Sequence, residues 1–285
     1  MQKNLILSNL MNYRLFILFF SLLVLSVSSF ADSATPKSTY DWTGVYVGGF
    51  VGGATGANTT SSTNGTLSPI YPQIYDAAGS SNYSTSSSFM GGGTVGYNWQ
   101  IPKTPYLIGL EGEYGYLGQS GSSQTTATQD RPMGMSYNTQ NKTTIGSNFG
   151  YGLVGGRLGY ALDRSLFYVK SGAVFTQVSS TNSSTPVHID DPTSFDSSST
   201  NSGGTATGYA IGGGVEYAPS WYSNKNLSLK VEYLYFGIPT SSNAAGSSCY
   251  QLPTCPSLSS PMAHETYHNS TGGISTAKIG VNYKF

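Results

Sequence analysis

His264-Glu265-Thr266-Tyr267-His268 spells H-E-x-x-H. On a helix that spacing puts two imidazoles one turn apart, where both ligate zinc and the glutamate serves as general base. Here the segment lies between Pro261 and Gly272-Gly273, in Ser/Pro/Gly-rich sequence, and nothing in the chain marks a third ligand. A short helix stays open at this point. The expectation is no catalytic centre, no resident metal and no cofactor, with adventitious metal or haem contact by His264 and His268 as the alternative. Two runs, Gly91 to Gly96 and Gly150 to Gly155, satisfy G-x-G-x-x-G. Neither leads into a helical period, so no phosphate cradle is expected. A third set of chemical groups is less conventional. Glu111, Glu113, Glu216 and Glu232 face four bases, Arg157, Lys170, Lys230 and Lys278, all in segments of alternating polarity.

Those segments recur along the chain with period two, rich in Val, Ile, Tyr, Phe and Gly. Eight are expected, at about 43–53, 88–99, 105–118, 147–160, 166–178, 206–217, 227–237 and 274–285. The connections alternate in length. Residues 54–87, 119–146, 179–205 and 238–273 are long and rich in Ser, Thr, Asn and Gly, whereas 100–104, 161–165 and 218–226 are short. Long loops at one end and short turns at the other describe an outer-membrane barrel. The fold class is therefore all-β, an eight-stranded antiparallel up-and-down transmembrane barrel with four long extracellular loops and short periplasmic turns. A soluble β-sandwich with one polar face is the alternative.

Composition agrees. Of 285 residues only 9% are charged and 38% are hydrophobic, with 36 Gly and 22 Tyr. An ordinary soluble domain carries about 25% charged residues. Lys+Arg and Asp+Glu are both 13, which excludes the basic footprint of a nucleic-acid binder. Residues 1–31 read as a secretory signal peptide, with Lys3 and Arg14 before the apolar run Leu15 to Val27 and small residues at Ser29 and Ala31. A membrane anchor is the alternative, but the run falls short of the ~20 apolar residues a spanning helix needs. Translation from Met11 would serve equally well. Residues 32–42 form a short periplasmic lead and 43–285 the barrel. In an exported chain Cys249 and Cys255 are expected to form a disulfide in the fourth loop, two free thiols being the alternative. Trp42 and Trp99, near strand ends, read as interface anchors, and Trp221 lies in a turn.

The charges test the phase of each strand. Leu227, Leu229, Val231, Tyr233 and Tyr235 alternate with Ser228, Lys230, Glu232 and Leu234. In the same way Ile108, Leu110, Tyr114 and Tyr116 oppose Glu111 and Glu113, and Phe167 and Val169 oppose Tyr168 and Lys170. A charge at the lipid midplane costs roughly 2–4 kcal/mol. The bulky apolar face must then be outward, and the four acids and four bases form an interior network. Matching is needed because an unpaired buried charge is costly.

Three stretches resemble a known family: Asp41-Trp42-Thr43-Gly44-Val45-Tyr46-Val47-Gly48-Gly49, Val231-Glu232-Tyr233-Leu234-Tyr235-Phe236-Gly237 and Lys278-Ile279-Gly280-Val281-Asn282-Tyr283-Lys284-Phe285. They are similar to the small outer-membrane β-barrels that include opacity-type proteins, the OmpA membrane domain and porin-like surface antigens. The resemblance implies that Ile279, Val281, Tyr283 and Phe285 form the signal read by the barrel-assembly machinery. It implies outer-membrane lipid as surroundings and the bacterial outer membrane as location. The expected function is a non-enzymatic, porin-like or structural surface protein with a side-chain-filled or very narrow lumen. The alternative is an adhesin, or a haem- or host-ligand-binding protein, acting through the loops on a host-surface ligand. A lipid-modifying enzyme is a further class, for which no Ser/His/Asp set is placed by strand spacing.

Overall fold

Alternation of large apolar and small or polar residues gives each strand two unlike faces, and closing the sheet sends one of them inward. In the computed structural model eight strands close on themselves: β1 (Gly44–Gly56), β4 (Ser88–Gln100), β5 (Tyr106–Leu117), β8 (Tyr151–Leu162), β9 (Ser165–His188), β10 (Ser198–Tyr217), β11 (Leu227–Gly237) and β14 (Ile274–Lys284). Each pairs antiparallel with the next in that order, and β14 pairs with β1 to close the ring. The structure describes residues 40–56, 58–66, 79–84, 86–128, 135–145, 150–188, 198–220, 226–238, 240–249, 262–271 and 273–285. The proposed signal peptide, most of the 32–42 lead, Trp221 and Cys255 lie outside these residues.

The outer face is an apolar band. Leu110 is 70% exposed, Val154 65% and Val231 63%, and Trp99, Tyr106 and Tyr217 also point out. The turns at one end are tight: Asp163 adopts φ 51 between β8 and β9, and Lys103 φ 63 between β4 and β5. Among the described residues no helix is long and apolar enough to cross a membrane, which says nothing of a barrel.

The long connections are where expectation and structure part. All four segments read as loops contain strands: β2 (Asn58–Thr66) and β3 (Gly79–Ser84), β6 (Gln119–Thr128) and β7 (Met135–Ile145), the far halves of β9 and β10, and β12 (Thr240–Cys249) and β13 (Met262–Thr271). β13 pairs with β12 and β2, β2 with β3, and β7 with β6 and β9. Between β3 and β6, Ser86 donates from its backbone N–H and its hydroxyl to the Ser120 carbonyl. The barrel wall thus continues past the apolar band as polar strands. β9, at 24 residues, runs about 80 Å against a band about 25 Å tall. Ser, Thr, Asn and Gly carry no apolar alternation, so their periodicity is silent. Pairing extends because the neighbouring strands are already aligned below.

Candidate functional site: the lumen

Three layers fill the interior. Toward the long-connection end lies an apolar plug: Phe50, Met90, Leu117, Tyr151, Leu153 and Phe236 among others, all buried. Toward the turn end Tyr40 and Trp42 pack with Leu107, Ala161, Leu166, Tyr168 and Ala218. Between them sit the charges. Period two puts Glu111 and Glu113 on the inner face of β5, Arg157 on β8, Lys170 on β9, Glu216 on β10, Lys230 and Glu232 on β11, and Lys278 on β14. All eight are buried.

Their geometry is a connected network. Lys170 Nζ bonds Glu111 and lies 2.5 Å from Glu113 Oε1. Lys278 Nζ lies 2.6 Å from Glu113 Oε2 and 2.8 Å from Glu232 Oε1. Arg157 Nη1 reaches Glu216 at 3.3 Å and Glu111 at 3.6 Å. Lys230 Nζ, without a hydrogen-bond partner, is 3.7 Å from Glu111 Oε2. Burial makes each charge expensive unless its remaining valences are met. Neutral groups meet many of them. The hydroxyls of Tyr46, Tyr151 and Tyr168 donate to Glu111, Glu113 and Glu232. Ser228 and Asn282 donate to Glu216, and Asn98 accepts from Arg157 Nε at 2.7 Å. The Arg157 guanidinium is held between the rings of Tyr46 and Tyr168 at 4.7 and 5.1 Å. Glycine makes room for this. A Cβ at Gly96 would collide with the Tyr46 hydroxyl and push it off Glu111.

The structure thus brings together the eight charged residues singled out in the sequence. The hydrogen-bonding tyrosines and Asn98 were not among them, although Ser228 and Tyr168 share a face with charges and could have been found by phase alone. Trp42 is a correction. It does not sit at an outer interface: it is 2% exposed and turned into the mouth, because the chain bends at Gly44, where β1 begins. Trp99 does point outward.

Carboxylate oxygens of Glu111, Glu113 and Glu232 lie within 4.8 Å of one another, close enough for a cation. The ammonium groups of Lys170 and Lys278 already stand among them. The H-E-x-x-H segment is a second correction, since it lies in strand β13 rather than a loop or short helix. In a strand His264 and His268 are about 13 Å apart along the chain, whereas zinc needs each nitrogen at about 2 Å. The two G-x-G-x-x-G runs lie in β4 and at the start of β8. Cys249 ends β12, and its expected partner Cys255 is outside the described residues. Ile279, Val281 and Phe285 point outward on and just after β14.

The family comparison agrees with this architecture. Residues 17–285 match the model of the outer membrane protein beta-barrel domain. The 31 kDa outer-membrane immunogenic proteins of Brucella melitensis and Brucella suis are each 27% identical over 256 residues, covering 90% of this chain and 88% of theirs. Among solved structures, the outer membrane protein OprG of Pseudomonas aeruginosa aligns with 11% identity and a TM-score of 0.44, over 87% of this chain and 100% of its own. Ail, the attachment invasion locus protein of Yersinia pestis, aligns with 10% identity and a TM-score of 0.29, over 81% and 99%. The chain belongs to the outer-membrane protein β-barrel domain family, and the protein is an integral component of the bacterial outer membrane.

Proposed function

We propose that the protein is a non-enzymatic surface barrel with a closed lumen, which acts through the strand-built wall beyond the membrane rather than by passing solutes. The observation that carries this reading is the filling of the lumen by apolar plug, ion-pair layer and aromatic mouth, each buried. An eight-stranded barrel is just wide enough for side chains to fill. In this reading residues 1–31 are removed on export, 32–42 lead into the barrel from the periplasm, the turns stay periplasmic and the polar strands stand outside the cell. Ile279, Val281 and Phe285, which point outward, together with Tyr283 present the assembly signal to the barrel-assembly machinery. No cofactor takes part. Purified mature protein in a planar lipid bilayer tests the reading. The expected result is no steady ohmic conductance, and a stable open level would reject a closed lumen.

A second reading, attachment to a host-surface ligand, is favoured by the polar strands that carry β9 and β10 well past the apolar band. The name of the Brucella relatives, immunogenic outer-membrane proteins, supports a surface that antibodies reach. A deletion strain assayed side by side for permeability and for adhesion separates the two. Loss of adhesion with unchanged permeability favours attachment.

A further inference from the structure

A short segment that is not part of the barrel wall packs into the turn-side mouth. Tyr40 and Trp42 precede β1, yet both are buried, and their rings meet edge to face at 4.7 Å. Three kinds of contact hold them. Two cations from different parts of the rim lie over the Tyr40 ring, Lys284 Nζ at 4.7 Å and the Arg164 guanidinium at 5.8 Å. Lys284 Nζ also donates to the Asp41 carbonyl. The backbone is clipped to the first turn: the Trp42 N–H donates to Gln100 Oε1 at 3.2 Å, and the Gln100 N–H to Thr43 Oγ1 at 3.2 Å. The bend that admits the segment is at Gly44, whose φ of 141 is rarely open to other residues. A Cβ there would also press on the Phe285 carbonyl and the Lys284 side chain at 3.3 Å.

The segment is continuous with the ion-pair layer. Trp42 packs in one cluster with Tyr168, whose hydroxyl donates to Glu232 at 2.7 Å and whose ring lies against Arg157. Arg157, in turn, bonds Glu216, which also accepts from Ser228. Ion pairs buried in this way owe their strength to the exclusion of water. At the other end the apolar plug excludes it. At the turn end, among the described residues, the wall contributes Leu107, Ala161, Leu166 and Ala218, and Tyr40 and Trp42 pack against them in the opening.

The geometry points to residues 40–43 as a hinged stopper, swung on Gly44 and clamped by Lys284 and Arg164 around Tyr40, that seals the ion-pair layer from the periplasmic side. This rests on the closed-lumen reading, but the two fail separately. Conductance needs both ends open, whereas access from the turn end does not.

The test uses the full mature chain, folded in lipid, with Cys249→Ser and Cys255→Ser and a reporter at Ser228→Cys, next to Glu216. A membrane-impermeant methanethiosulfonate labels the reporter. With the native lead, labelling is expected to be slow. In Tyr40→Ala/Trp42→Ala, and separately in Gly44→Ala, it is expected to be at least tenfold faster, with the heat-modifiable shift on cold SDS gels retained. Acrylamide quenching, read as the difference between the native lead and Trp42→Phe, should show Trp42 protected with native Gly44 and exposed in Gly44→Ala. A reporter that labels as fast with the native lead overturns the seal. A reporter that stays protected in the folded double variant overturns the stopper. Should Gly44→Ala fail to fold, the double variant decides alone; should both fail to fold, the segment is part of the folding core and the hinged stopper is rejected.

Discussion

Lys278, near the middle of the last strand, places its Nζ 2.6 Å from Glu113 Oε2 on β5, across the lumen and 165 residues away in sequence. The pair ties the end of the chain to a strand formed well before it. It is not symmetric. Glu113 also holds Lys170 at 2.5 Å and accepts from Tyr151, whereas Lys278 has Glu232 as its second partner at 2.8 Å.

Removing Glu113 therefore loosens more of the layer than removing Lys278: Lys170, Lys278 and Tyr151 each lose a partner, whereas without Lys278 only Glu113 and Glu232 do. Breaking a buried pair costs about 3–5 kcal/mol when an uncompensated charge remains. Glu113→Leu is expected at that level and Lys278→Met at about 1–3 kcal/mol, since Glu113 keeps Lys170. The double variant should fall short of the sum by roughly 1 kcal/mol or more. Urea midpoints of the folded band on cold SDS gels measure all three. Equal single costs with full additivity would contradict the network.

The outer face makes an independent prediction. Leu110 is 70% exposed on β5, alternating with buried Glu111. Leu110→Arg is expected to cost about 2–4 kcal/mol in a bilayer, as a charge at the midplane does. The same substitution at Trp99, near the turn-side rim, should cost about 0–1 kcal/mol in charge terms. Unfolding in liposomes compares them, and equal costs would remove the assignment of Leu110 to mid-depth.

Both predictions could be framed from sequence because charge is a strong reporter of phase. One Glu on a strand tells which of two faces avoids lipid, and Glu111, Lys170, Lys230 and Lys278 sit where that argument puts them. Tyrosine reports weakly, since it suits an interface as well as a carboxylate; hence Tyr46 and Tyr151 carried no signal for their roles. Trp42 misleads for the same reason. Its neighbour Gly44 held the clue, but a positive φ is not written in a sequence that has 36 glycines. The polar strands, such as β2 with its run of Asn, Thr and Ser, show no alternation at all. Their pairing is inherited from the strands below, which is a tertiary fact.

Tyr40 gives the stopper a pH dependence. Burial pushes its hydroxyl up to about 12, Glu216 adds to the rise, and Arg164 opposes it. The folded state thus holds the proton more tightly than the unfolded chain, whose tyrosines titrate near 10. The resulting stability is fully present below pH 10 and is lost as pH rises toward 12. Across the physiological range the stopper should not respond to pH. The difference in phenolate absorbance between the native protein and Tyr40→Phe should titrate near 12 while the barrel is folded. A midpoint near 10 would show a ring open to water.

The extension beyond the membrane is tested by register. β2 and β13 pair antiparallel with Ser61 opposite Asn269 and Thr63 opposite Tyr267. Directly paired residues have Cα atoms about 4.5–5.5 Å apart, within the span a disulfide accepts. With Cys249 and Cys255 replaced by Ser, the pair Ser61→Cys/Asn269→Cys should oxidise readily on intact cells. Ser61→Cys/Tyr267→Cys, two residues out of register and about 7–8 Å apart on the diagonal, should oxidise far less. The same strand sets the behaviour of His264 and His268. Held about 13 Å apart, they should give no single tight zinc site, so His264→Ala is expected to leave zinc titration by calorimetry unchanged. Equal oxidation of the two cysteine pairs would mean that these residues do not form a strand. A zinc site lost on His264→Ala would mean that the segment turns into a helix.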